Sequence, residues 1–176
     1  MIRLIKENTV LRLAELSDAD FILSLRLNEN LNKYLSSVEN NLEAQIDWLK
    51  NYKMKEAKGE EYYFIIEDKE RKAYGTIRLY AIKDNECTWG SFILLPDRPF
   101  NFSYISAELS FDFAFNTLGM KSIKLDVNKK NSKAIHIYFK LGFKKLKCDE
   151  KNLYMVLTKE MYKKNQWRIN EWEVLF

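Results

Sequence analysis

Residues 123–143 read IKLDVNKKNSKAIHIYFKLGF, and the fold turns on how this stretch is read. Its first residues alternate apolar and polar, as a strand buried on one face does. An Asn/Lys loop follows. Asn131 and Ser132 then offer a helix cap, and Ala134, Tyr138 and Leu141 share one face of a helix closed by Gly142. By spacing alone Tyr138 is an aromatic on a buried face and Asn131 is a cap. Beyond Gly142 two further strands are expected, over residues 143–146 and 153–158.

Working back from that stretch, residues 93–115 read ILLPDRPFNFSYISAELSFDFAF. Pro96 ends a strand. From Ser103 to Leu118, Tyr104, Ala107, Phe111, Ala114, Phe115 and Leu118 recur on one helical face, with Gly119 just past the end. This predicts a central buried helix. Its position between two strands predicts a parallel crossover within a partly antiparallel sheet. Further upstream, YYFIIE, AYGTIRLYAI and CTWGSFILL are strand-like runs joined by short polar turns, a meander. A strand over residues 9–14, a helix from Ser17 to about Leu27, an Asn-rich break at 28–32 and a second amphipathic helix carrying Leu42, Ile46, Leu49 and Tyr52 complete the chain. The expected class is α/β (α+β), a mixed central sheet flanked by helices in the order β-α-α-β-β-β-α-β-α-β-β. One domain over residues 1–165 and an apolar extension over 166–176 are expected.

Composition narrows the function. With 176 residues, 47% apolar, the chain holds one sizeable core and not two. Cys87, Cys148 and the single His136 have no metal-ligand spacing, so neither a zinc site nor a disulfide framework is expected. The opening MIRLIKENTVLRL interrupts every apolar run with charge, which predicts no signal peptide, no membrane span and a cytoplasmic location. A net charge of +4 favours an anionic ligand and falls short of what nucleic-acid binding would need.

The two segments resemble the acetyl-CoA-binding half of the GNAT superfamily of N-acetyltransferases. In that family a strand is followed by N-x-x-A-I-x-x-Y-x-x-x-G-F, and Asn131, Ala134, Ile135, Tyr138, Gly142 and Phe143 match it throughout. The resemblance implies acetyl-CoA as acetyl donor and direct attack by a primary amine. It also implies that Tyr138 donates a hydrogen bond or proton to the departing thiolate, and that Asn131 contacts the pantetheine arm. A thioester carbonyl gains charge during attack, so fixed N–H donors are needed, and the strand edge at Ile93, Leu94 and Leu95 is placed to supply them. Pyrophosphate calls for converging amides at a helix start, here Arg98, Asn101, Phe102, Ser103 and Tyr104, with Lys133 from a lysine-rich stretch nearby. The family's Q/R-x-x-G-x-G/A pattern is kept only at Arg98. Asn101 and Ser103 replace its glycines, and Phe100 and Phe102 add bulk.

Many relatives carry a glutamate just ahead of the strand glycine, whereas Gly90 follows Thr88 and Trp89. Glu86, on the same strand, is the expected base acting through water, with Glu108 a weaker alternative. Arg26, Asn28, Asn32 and Tyr34, together with Thr88, are the expected acceptor contacts. Their stretch resembles ribosomal-protein alanine acetyltransferases and acetyltransferases of nucleotide-linked amino sugars. A nucleotide-linked amino sugar is the first expectation for the acceptor and a protein N-terminus the second. A non-catalytic CoA-binding module is the reading of another class. The extension carrying Trp167, Ile169, Trp172, Leu175 and Phe176 suggests packing on the chain's own sheet or a homodimer.

Overall fold

The computed structural model describes residues 2–164, so the expectations for residues 166–176, including a homodimer through them, lie outside the described residues. One eight-stranded sheet runs through the molecule in the order β1-β2-β3-β4-β5-β6-β8-β7. Its strands are β1 (Arg3–Lys6), β2 (Thr9–Leu13), β3 (Tyr62–Asp68), β4 (Ala73–Lys83), β5 (Glu86–Leu94), β6 (Ser122–Asn128), β7 (Lys144–Cys148) and β8 (Asn152–Thr158). All pairings are antiparallel except β5 with β6, the crossover expected from the helix between them.

The helices are α1 (Ala19–Leu27), the short α2 (Glu29–Asn32), α3 (Leu42–Ala57), α4 (Phe102–Asp112) and α5 (Ser132–Lys140). A single π turn, Phe113–Thr117, ends the central helix where sequence periodicity predicted continuous α-helix. Two elements escaped the sequence reading. β1 is a four-residue edge strand, and α2 hides in the Asn-rich break, capped by Asn28 accepting from the Asn30 amide at 3.0 Å.

Both faces of the sheet are covered around β3, which explains its nearly unbroken apolar run. Tyr63 and Ile65 pack with Ala19, Ile22, Leu49 and Tyr52 of α1 and α3. Phe64 and Ile66 point the other way, into the larger core with Trp89, Phe111, Phe115 and Phe143. Trp89 Nε1 donates to Ser110 Oγ at 2.9 Å, tying β5 to α4 through a bond shielded from water. Buried charges are paired: Arg12 donates to Asp18 at 2.7 and 2.8 Å and to Glu67 at 2.8 Å. Among the described residues no helix is long and apolar enough to cross a membrane.

Candidate active site

The feature that opens the molecule is a divergence of two parallel strands. β5 pairs with β6 only from Glu86 to Thr88, against Ser122 to Lys124, yet β5 continues to Leu94 and β6 to Asn128. A bulge contributes: the β4–β5 register shifts between Thr76 and Arg78, Ser91 sits at φ 48°, and its carbonyl accepts from Thr76 Oγ1 at 2.8 Å. Gly75 is what allows β4 and β5 to approach here, since a Cβ on it would lie 2.1 Å from the Ile93 carbonyl oxygen.

The divergence leads into a cavity of about 620 Å³, a size typical of small-molecule sites. Ile93 and Leu94 line it from β5, Arg98 and Ser103 from the loop and first turn of α4, Asn131, Lys133 and Tyr138 from α5, and Tyr34 from the opposite wall. The Tyr138 ring stands edge-on to Trp89 at 5.7 Å. Burial pushes its phenol up to about 12, and the nearby negative charge of Asp126 adds to this. The phenol therefore stays protonated across the working range. At that value it is a weaker acid than a thiol of ordinary pKa about 8.5, so it suits hydrogen-bond donation to a thiolate better than full proton transfer.

The glycine-poor loop turns into α4 without glycine, and it commits the Phe102 and Tyr104 amides to the Pro99 carbonyl at 3.3 Å and the Asn101 carbonyl at 2.9 Å. Asn101 adopts the left-handed conformation at φ 66° that the family's glycine would supply. Arg98 Nε donates to Ser103 Oγ at 2.9 Å and Nη1 to the Leu95 carbonyl at 3.1 Å, fixing the guanidinium over the start of α4. Phe102 turns into the core against Tyr74, 5.2 Å between rings, and Phe100 is 80% exposed, so neither ring is among the cavity's lining residues. These residues fit a diphosphate: the Ser103 amide, which makes no backbone hydrogen bond among the described residues, a fixed guanidinium and Lys133 across the mouth.

Several expected site residues lie elsewhere. Glu86 is at the opposite end of β5 from Leu94, where its carboxylate accepts from Ser122 Oγ at 2.8 Å and Lys124 Nζ at 2.5 Å. Those hydrogen bonds, that from Lys124 first, hold it below the usual carboxylate range, the wrong direction for a base. Thr88 is paired in the strand with Tyr80 and Lys124 and is not on the cavity wall. The Leu95 amide is committed to the Tyr74 carbonyl at 2.8 Å and so is unavailable to a ligand. Phe102 and Tyr104 pack with the core, and their amides are bonded to the Pro99 and Asn101 carbonyls, so neither residue is free to serve a ligand as expected. Arg26 gives Nη2 to Ser36, at 2.9 Å to Oγ and 3.0 Å to the carbonyl, and Asn28 caps α2; both brace residues 30–36. Asn32 does likewise, donating to the Arg26 carbonyl at 3.0 Å. Glu108 is held by Lys6 at 2.8 Å on the far side of α4.

Asp126 is the cavity carboxylate that sequence reasoning passed over. It lies on β6, is exposed, lines the cavity, and its charge is felt by both Tyr138 and Tyr80. Residues 30–36 form the wall facing it, and Tyr34 donates its hydroxyl to the Lys130 carbonyl at 3.1 Å, bridging the two sides of the mouth.

The family profile described as the acetyltransferase (GNAT) domain matches residues 8–144. Among solved structures, the apo form of FdhC, a nucleotide-linked sugar GNAT, is 37% identical with a TM-score of 0.87, covering 96% of this chain and 97% of that one. A spermidine N-acetyltransferase from Vibrio cholerae, in complex with CoA and spermine, is 22% identical with a TM-score of 0.79, covering 90% and 99%. A ribosomal-protein-S5-alanine acetyltransferase from Vibrio fischeri is 17% identical with a TM-score of 0.78, covering 91% and 98%. The last two show likeness of fold alone. No curated protein sequence matches the chain.

Proposed function

The chain belongs to the GNAT family of acetyltransferases, and on that premise we propose that it acetylates the primary amine of a nucleotide-linked amino sugar. The observation that carries this reading is the parting of β5 from β6 beside the Tyr138 phenol, with one carboxylate, Asp126, and several cations around it. Of the residues lining the cavity four are basic, Lys33, Arg98, Lys133 and Lys151, and one is acidic, Asp126. That balance repels a polyamine and attracts a substrate that is anionic apart from its amine. The nucleotide-linked sugar GNAT at 37% identity supports the same choice.

Acetyl-CoA, the donor the family uses, supplies an acetyl group activated as a thioester. In this chain the β5 edge at Ile93 and Leu94 would hold its arm, and Arg98, Lys133 and Ser103, through its amide and hydroxyl, would hold its phosphates. Asp126 draws the acceptor's ammonium into the mouth and is positioned to take the proton the amine sheds, directly or through water. Tyr138 keeps its proton and offers it as a hydrogen bond to the leaving sulfur. Trp89 and Phe143, both buried, fix the Tyr138 ring so that no reorganisation is needed.

The test is free-thiol release from acetyl-CoA with four acceptor types: nucleotide-linked amino sugars, the same sugars without nucleotide, spermidine, and a peptide with N-terminal alanine. The nucleotide-linked sugars are expected to have the highest kcat/KM, by roughly tenfold or more over the free sugars, as a charge-assisted phosphate contact implies. Faster turnover of spermidine or of the peptide would overturn the acceptor class.

A further inference from the structure

The sheet face beside the cavity carries a cation that the chemistry above leaves without a task. Arg78 pairs with Gly90, Tyr80 with Thr88, Thr88 with Lys124, and Asp126 with Tyr154. Strand alternation therefore puts Arg78, Tyr80, Gly90, Asp126 and Tyr154 on one face. Two contacts agree: a Cβ on Gly90 would lie 3.1 Å from the Tyr80 ring, and the charge of Asp126 reaches the Tyr80 phenol. Arg78 and Asp126 stand on either side of β5 and, because β5 has already parted from β6 at Gly90, more than two strand spacings or roughly 10 Å apart, with the Tyr80 ring lying over Gly90 between them.

Arg78 is held rigidly. Its guanidinium carbon lies 4.5 Å from the centre of the Tyr80 ring and 5.0 Å from that of Trp48, between two aromatic faces. Its Nε donates to Glu61 Oε1 at 2.5 Å, and the Glu61 side chain is only 4% exposed. The two terminal amino groups make no hydrogen bond among the described residues, although the side chain is 21% exposed. A guanidinium usually loses much of its rotamer freedom when it binds an oxyanion, and here that cost is already met by the rings and the carboxylate.

We propose that Arg78 is a specificity-determining residue for the acceptor, taking phosphate oxygens on its terminal amino groups while the amine lies at Asp126. This rests on the placing of the amine at Asp126. The separation of the two charges suits a molecule with an amine on one side of a sugar ring and a phosphoester on the other. An amine without an anionic group would leave the fork empty and gain nothing from it. Donor phosphates are placed elsewhere, because Arg98 and Ser103 line the cavity from beyond the end of β5, past Leu94, whereas Arg78 sits beside Gly90 in the middle of that strand and is not among the lining residues.

The experiment is calorimetric titration of the CoA-saturated protein with uridine diphosphate and with inorganic pyrophosphate. CoA fills the donor loop, so any further anion binding reports a second site. Binding is expected in the unaltered protein, weakened about tenfold or more by Arg78→Lys, which keeps the charge but not the fork, and lost in Arg78→Met. Lys55, 3.7 Å from Glu61, remains to pair the buried carboxylate in both variants. Should Arg78→Met fail to fold, Arg78→Lys decides. Failure of the unaltered protein to bind either anion, or unchanged binding by Arg78→Lys, overturns the proposal. Anion binding that depends on Arg78 in a protein that acetylates no amine would instead sink the acceptor reading and leave the anion site standing.

Discussion

Where β5 meets α4 and α5, the residues that line the cavity are backed by interlocked aromatic rings, whereas the facing wall, residues 30–36, has almost no interior. Trp89, Phe111 and Phe143 are each no more than 1% exposed, and their ring centres lie 5.6 to 6.3 Å apart. Across the mouth, α2 buries no residue, and Leu35 is 36% exposed. That wall hangs on side-chain hydrogen bonds: Arg26 to Ser36, Asn32 to the Arg26 carbonyl and Tyr34 to the Lys130 carbonyl. Each is worth about 1 kcal/mol, while removing a buried ring costs about 3–5 kcal/mol. On the proposed reading, handling of the donor would be built onto the core, and the choice of acceptor would rest on bonds that change without endangering the fold.

The comparison is broken most violently at Gly75. A Cβ there would meet the Ile93 carbonyl oxygen at 2.1 Å and its carbon at 3.1 Å, and that backbone cannot yield without moving the strand edge that lines the cavity. Gly75→Ala is expected to cost about 3 kcal/mol and lower the melting temperature by roughly 10 °C, with loss of acetyl-CoA binding. Calorimetry and CoA titration check both. A variant that melts and binds like the parent would mean the donor wall is softer than its packing says.

Next in size is Tyr138→Phe, which keeps the ring against Trp89 and removes only the hydroxyl. Turnover should fall about 10²-fold with CoA affinity unchanged. The same phenol leaves a mark on stability. Unfolded, it ionises near its ordinary pKa of about 10; folded, it holds its proton up to about 12. Between those values the native state binds more protons, so this contribution is whole below about pH 10 and is lost as pH rises towards 12. Denaturation at several pH values should show Tyr138→Phe losing stability less steeply through that window. Parallel slopes would place the phenol in water rather than behind the rings.

Legibility in the sequence follows the same division. The strand, cap, helix and glycine of residues 123–143 obey local rules, and Ile93, Leu94, Arg98, Ser103, Asn131, Lys133 and Tyr138 do line one cavity. Three misplacements have one cause: sequence periodicity gives the face of an element but not its end or its neighbour. Glu86 stands at the wrong end of its strand, the Leu95 amide is taken by β4, and Phe102 turns inward although its helix has just begun. Asp126 was visible as an outward-facing strand residue inside the very stretch that decided the fold. What alternation cannot show is that β5 swings away beside it and that α5 brings a phenol within reach of its charge. β1 escaped because four residues with Ile5 53% exposed leave no buried face to read.

The finest probe of the two-wall division is Tyr34→Phe. Tyr34 lines the cavity from residues 30–36, yet its hydroxyl bond crosses the mouth to the Lys130 carbonyl, on the loop that leads into Asn131 and α5. Losing a partly exposed bond of this kind costs about 1 kcal/mol, and water can replace it at the carbonyl, so the melting temperature should move by no more than about 4 °C. If residues 30–36 serve the acceptor alone, the acceptor KM rises roughly fivefold while kcat and the acetyl-CoA KM stay near their original values, because the bond is made equally in the ground and transition states. An equal rise in both KM values would show that the strap also holds the donor helix in place, and the two walls would then have to be treated as a single unit.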